Sequence, residues 1–164
     1  MAVLDLLALP DALLRGAPVM GLDLGERTIG VAVSDTGRMI ASPLALIKRT
    51  RFTADAGQLF DLMKSRAAAG LILGFPVNMD GTEGPRCQSV RAFARNLLRL
   101  QDLPIAFWDE RLSTVAVDRM LRDEADASRR RRAELVDKAA AAWILQGALD
   151  RLAAALRDKP ASVG

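Results

Sequence analysis

VMGLDLGERTIGVAVSDTGRMIASPLALI, residues 19–47, reads as three strands in succession. VMGLDLG is apolar apart from Asp23, Glu26 and Arg27 fall in a turn, TIGVAVSD is rich in β-branched residues, Thr36-Gly37 turns again, and MIASPLALI completes the set. Two consecutive hairpins make these strands antiparallel. Downstream, TADAGQLFDLMKSRAAA (53–69) starts at Thr53 as an N-cap, places Leu59, Leu62, Met63 and Ala67 at helical spacing, and stops before Gly70. LILGFP is a fully apolar strand closed by Pro76, VNMDGTE is a loop, and PRCQSVRAFARNLLRL is a helix with Pro85 in its first turn and Val90, Phe93, Leu97 and Leu98 on its buried face. PIAFWDE is a short strand, STVAVDRMLR a helix capped by Ser113, RDEADASRRRR a mobile connector, and the last helix runs from Ala133 to about Arg157. This order predicts an α/β fold, one mixed sheet of three antiparallel strands followed by parallel ones, flanked by helices. It fills a single domain over 17–158, with an N-terminal extension (1–16, broken at Pro10) lying as a lid on the core, and a tail over 159–164.

Composition narrows the chemistry. The 164 residues hold 23 Lys+Arg against 20 Asp+Glu, no His, no Tyr and one Cys. Without His there is no Ser-His-Asp or Cys-His pair and no HExxH metal site, and one Cys cannot build a thiolate zinc site. Catalysis falls to carboxylate, Lys, Arg or hydroxyl groups, and carboxylates favour hard cations such as Mg²⁺ or Mn²⁺. Cys87 has no intrachain disulfide partner, and no apolar run approaches the ~20 residues that cross a bilayer, so a reducing, cytoplasmic setting without a membrane is expected. Residues 1–85 carry 8 basic and 9 acidic side chains, residues 86–164 carry 15 and 11, and 19 of the 23 cations are Arg. An Arg-weighted basic half suits phosphate recognition, although an Ala- and Arg-rich chain also follows from genomic base composition.

Three acids stand where chemistry is possible. Asp23 interrupts an apolar strand: it either caps the Glu26 turn or sits in a paired or metal-bound site. DLGERTIG also fits the phosphate-binding hairpin of actin-like ATPases, but that architecture needs two such domains and this length holds one. Asp109-Glu110 ends the strand IAFW, and alternation sends only one of the two toward Asp23. Asp137 precedes Ala140 and Ala141, small residues that let a helix lie close to a sheet; the alternative is that it complements the helix dipole. Asp23, Glu110 and Asp137 together make a cage for two divalent ions that activate water and stabilise the leaving oxygen in phosphodiester hydrolysis. Arg91, Arg95 and Arg99 recur at i, i+4, i+8 after Arg86 with no acid among residues 86–99, a phosphate-tracking stripe or simply a solvated face. Arg129–Arg132, including Arg130 and Arg131, form a second basic cluster.

Four segments resemble the YqgF-type family of pre-16S rRNA nucleases, also described as Holliday junction resolvases: GLDLGERTIGVAVSD (21–35), LGFPVNMDGTEGPR (73–86), DERLSTVAVDRML (109–121) and VDKAAAAWILQGALD (136–150). The resemblance covers most of residues 20–150. It implies a ribonuclease-H-like fold, whose sheet calls for this order of elements, and a cytoplasmic, metal-dependent nuclease that matures the 5′ end of the small-subunit rRNA precursor. Asp23, Glu110 and Asp137 match the family's three acids, with Mg²⁺ or Mn²⁺ as the ion. Asn78, Asp80 and Gly81 match the loop of its substrate surface, and Arg27, Arg86, Arg91, Arg95, Arg130 and Arg131 are the cations expected on the nucleic acid. Phe75 stands where an aliphatic is usual, and Trp143 where Ala or Leu is common. The expected partner is precursor rRNA or a pre-ribosomal particle, and the chain a monomer or weak homodimer. The other readings are a DNA junction resolvase, which needs a two-fold dimer, and a non-catalytic rRNA-binding assembly factor.

Overall fold

The computed structural model describes residues 2–112 and 129–158, with side chains in the last helix from Ala139 onward. The expected helix at Ser113, the connector over 122–128 and the tail over 159–164 lie outside the described residues. Five strands, β1 (Val19–Leu24), β2 (Thr28–Ser34), β3 (Ala41–Lys48), β4 (Gly70–Phe75) and β5 (Ile105–Asp109), form one sheet in the order β3-β2-β1-β4-β5. β1, β2 and β3 pair antiparallel through the two hairpins, and β4 and β5 join β1 in parallel. The helices are α1 (Leu9–Ala12), α2 (Phe52–Arg66), α3 (Pro85–Leu100) and α4 (Arg129–Asp158).

The alternation of strand side chains divides the core in two. Met20, Leu22, Ile29, Val31, Leu71, Leu73 and Ile105 pack with Leu59 of α2 and Phe93 and Leu97 of α3. On the other face Val19, Ala32, Ile72, Ala106 and Trp108 pack with Ala141, Ile144, Leu145 and Leu149 of α4. Leu9 and Leu13 are buried in this second layer, and Leu4 donates its N–H to the Ile105 carbonyl, so the first residues close the end of that core. β4 is buried on both faces, which is why its sequence is an unbroken apolar run.

Two helix starts differ from the sequence expectation. α2 begins at Phe52 rather than after a Thr53 cap, and its N-cap residue, Arg51, supplies no side-chain bond. The carboxylate of buried Asp55 instead accepts from Thr50 N–H (3.1 Å) and Thr50 Oγ1 (3.2 Å), tying the preceding loop to the helix start from inside. Arg129–Arg132 are helical backbone in α4, not part of a connector. Arg is a good helix former, and continuity with the apolar helix outweighs the unfavourable placement of four cations at the positive end of the helix dipole.

α4 runs antiparallel to β1. Its carboxyl end, at Leu152 and Leu156, lies against Gly16 and Thr36–Met39, which flank the start of β1 and the end of β2. Its middle crosses β1 closely: a Cβ on Gly21 would stand 2.7 Å from Leu145 Cβ and 3.1 Å from the Ala141 carbonyl oxygen. The amino-terminal part of α4 therefore lies at the carboxyl end of the parallel strands.

Candidate active site

β1, β4 and β5 end together at Leu24, Phe75 and Asp109, and the candidate acids stand on this edge. On β1, Leu22 and Leu24 pack into the α2–α3 core, so Asp23 belongs with Gly21 on the α4 side. The same alternation on β4 turns Gly74 toward α4, where a Cβ would collide with the Glu110 carboxylate and stand 2.6 Å from Ile144 Cδ1. Gly74 is thus a bare floor over which Glu110 lies, reaching Asp23 with a hydrogen bond between the two carboxyl groups. Glu110, not Asp109, is the acid that joins Asp23.

Burial pushes the Glu110 carboxyl up to about 7, and the neighbouring Asp23 charge adds to the rise while Arg86 opposes it. A carboxyl of this value is about half protonated near neutrality, and its protonated form donates the hydrogen bond to Asp23. Asp109 behaves in the opposite way. Arg111 donates to its carboxylate from Nη2 (2.6 Å), Nε (3.0 Å) and its backbone N–H (3.0 Å), and these bonds hold Asp109 below the usual carboxylate range.

Asp137 lies on α4 one turn before Ala141, the residue that meets Gly21. One helical turn covers roughly 6 Å and the two residues from Gly21 to Asp23 cover roughly 7 Å. With helix and strand antiparallel, both steps run the same way, so the Asp137 backbone lies on the Asp23 side of the Gly21–Ala141 contact. Among the described residues no three metal-ligating side chains converge, the Asp137 side chain lying outside that description. The described pair fits a hard divalent cation: two carboxyl groups, one raised to about 7, are held in contact over a floor with no side chain of its own.

A hollow of about 510 Å³ opens beside Glu110, lined by Val77, Asn78, Met79, Arg86 and Arg111 among others. Its rim is a self-bonded turn: Asp80 Oδ1 accepts from Thr82 N–H (3.0 Å) and Oγ1 (2.6 Å), Asn78 Nδ2 donates to Thr82 Oγ1 (3.0 Å), and Gly81 adopts a positive φ of 89°. Arg86, in the first turn of α3, lines this hollow, and Arg95 is exposed farther along the helix. Arg91 has an intramolecular task. Its guanidinium bonds both oxygens of Glu83 (2.8 and 3.0 Å) and lies 4.8 Å over Phe75, itself stacked on Phe107 at 4.7 Å. The aromatic at position 75 serves as the plate on which this latch rests. Arg27 is exposed in the β1–β2 turn, and Arg130 and Arg131 are placed by backbone in the first turn of α4.

Sequence reading missed Gly74 and Arg111. The close spacing of Asp109 and Arg111 was a local signal for an ion pair, whereas nothing in the sequence around Gly74 announces the side chain that covers it.

A mixed sheet in this order, crossed by one long helix and carrying acids at the carboxyl ends of its parallel strands, defines the ribonuclease-H-like class. Thermus thermophilus RuvC, solved in complex with a Holliday junction substrate, shares the fold at a TM-score of 0.50 and 14% identity, over 83% of this chain and 96% of that one. Within that class the chain belongs to the RuvX family, described as Holliday junction resolvase, whose profile matches residues 17–151. Curated relatives carry the description "Putative pre-16S rRNA nuclease": one from Phenylobacterium zucineum (strain HLK1) is 70% identical and one from Caulobacter vibrioides (strain NA1000 / CB15N) 66% identical, each over 153 residues, 93% of this chain and 98% of the relative.

Proposed function

We propose that this protein is a divalent-metal-dependent endonuclease that processes the 5′ end of the 16S rRNA precursor in the cytoplasm, with Asp23, Glu110 and Asp137 holding Mg²⁺ or Mn²⁺. The observation that carries the reading is the Asp23–Glu110 contact, a carboxyl pair held together at the open edge of the sheet with Glu110 raised to about 7. Burial of like charges is costly, and a divalent ion bound there offsets that cost. When bound, such ions supply an activated water and stabilise the leaving oxygen of a phosphodiester. Glu110 gives up its proton on loading, Gly74 keeps the pair unobstructed, and Arg86 orients the phosphate beside it. The place of Asp137 on the Asp23 side of the Gly21–Ala141 contact supports its role as the third ligand.

Precursor rRNA as substrate is supported by the descriptions of the relatives above 60% identity. The family description favours a second reading, cleavage of a DNA four-way junction, which requires two sites presented by a two-fold dimer. One assay separates them: a labelled 16S precursor 5′ leader and a four-way DNA junction, each with Mn²⁺ or EDTA, against wild type, Asp23→Asn and Asp137→Asn. Cleavage of the leader that is lost in EDTA and in both variants is the expected result. Cleavage of the junction alone by a dimer moves the assignment to DNA. No cleavage of either, with leader binding equal in all three proteins, replaces the nuclease by an rRNA-binding assembly factor.

A further inference from the structure

A second hollow of about 210 Å³ lies next to the first and shares Pro85 and Arg86 with it. Its other walls include Gly25, Glu26, Arg49 and Ser89. Arg49 follows β3 and is brought here by the hairpin, its backbone N–H donating to the Arg27 carbonyl (2.8 Å). Its side chain is anchored twice: Nη1 donates to the Gly25 carbonyl (2.7 Å), and the guanidinium carbon lies 5.9 Å over Phe93. One such bond leaves most of the five-donor fork uncommitted to that carbonyl, and a prepositioned fork loses little entropy on meeting an anion. Arg49 and Arg86 outweigh Glu26, so the hollow is net positive.

Gly25 is two residues beyond Asp23, roughly 7 Å along the strand direction. The two hollows therefore meet at Arg86 and flank the carboxyl pair, with Glu110 lining one and the residues just after Asp23 lining the other.

We propose that Arg49 and Arg86 form a phosphate subsite for the nucleic-acid strand beyond the cleavage position, so that the strand crosses the carboxyl pair from the Asn78–Arg111 hollow into the Arg49 hollow. The inference rests on the nuclease reading above and names the path of its substrate.

The test uses a series of single-stranded oligonucleotides lengthened one nucleotide at a time on the 5′ or the 3′ side of the cleaved bond, with wild type, Arg49→Gln, Arg49→Lys and the remote charge control Lys64→Gln. In wild type and Lys64→Gln, lengthening on one side lowers KM roughly tenfold or more at the step that fills the subsite, since hydrogen bonds to charged groups are that strong. Arg49→Gln loses this step, and Arg49→Lys keeps part of it, the charge without the fork. Thermal unfolding of each variant accompanies the assay. Binding of the same oligonucleotides in EDTA across salt concentrations gives a second readout: each phosphate contact to a single strand contributes about 0.7 to the slope of log affinity against log salt, and Arg49→Gln is shallower by that amount. A length step in Arg49→Gln equal to that of wild type, or equally lost in Lys64→Gln, overturns the subsite. Where no oligonucleotide is cut, the leader and junction assay judges the nuclease reading, and the salt slope decides the subsite alone: an unchanged slope in Arg49→Gln overturns it.

Discussion

Asp109 and Glu110 are neighbours in the chain and stand on opposite sides of the sheet edge. On the α3 side acids meet cations: Asp109 with Arg111, Glu83 with Arg91. On the α4 side an acid meets an acid, Glu110 with Asp23. Asp109 is held below the ordinary carboxylate range, whereas Glu110 is raised to about 7. The first arrangement fixes structure: Arg111 reaches the carbonyls of Asn78 and Met79 (3.4 Å each) and ties the loop after β4 to the end of β5. The second leaves negative charge at an open edge, where a cation has work to do.

The comparison breaks most sharply at Asp23. Asp23→Asn should lower the rate of leader cleavage by roughly 10³-fold, the scale of removing a main electrostatic contributor to a transition state, measured in single-turnover assays at saturating protein. Gly74→Ala tests the floor. Its methyl must displace the Glu110 carboxylate or Ile144, and a shift near 1 Å costs about 10²-fold in rate, with both acids still present.

Next in size is a stability effect with a definite sign. Unfolded, Glu110 ionises at its ordinary value of 4.5; folded, at about 7. Between these values the unfolded chain has released its proton and the native chain has not, so stability falls as pH rises from about 4.5 to 7 and is level above. The loss amounts to about 3 kcal/mol. Glu110→Gln removes this fall, so the metal-free variant is more stable than wild type at pH 8 while it no longer cleaves; urea unfolding at pH 5 and pH 8 checks both. The smallest effect belongs to the matched side. Asp109→Asn or Arg111→Ala should cost no more than about 1 kcal/mol in the same unfolding measurement, because a partly exposed pair is screened by water.

How much of this was legible in the sequence follows from which interactions are local. α3 was readable to the residue, Pro85 to Leu100, because a proline at the first position and apolar spacing mark a helix from within. The antiparallel pairing of β1, β2 and β3 followed from the hairpins, whereas the places of β4 and β5 beside β1 did not. Alternation announced that Asp109 and Glu110 part, yet which of them faces α4 depends on the register of β5 against β4, set by Leu71 opposite Ile105. Arg49 was invisible as a site residue, since Gly25 and Phe93 reach it from 24 positions before and 44 after. Arg91, read as one of a stripe, is latched to Glu83 eight positions earlier, just upstream of the window in which no acid was found.

The most direct test of the Asp23–Glu110 pair is Mn²⁺ affinity as a function of pH, by calorimetry on wild type and Asp23→Asn. A pair that must release one proton to take up the ion predicts affinity rising about tenfold per pH unit below 7 and flattening above it, with binding lost in Asp23→Asn. Affinity that is independent of pH across this range, or equal in the two proteins, contradicts the account.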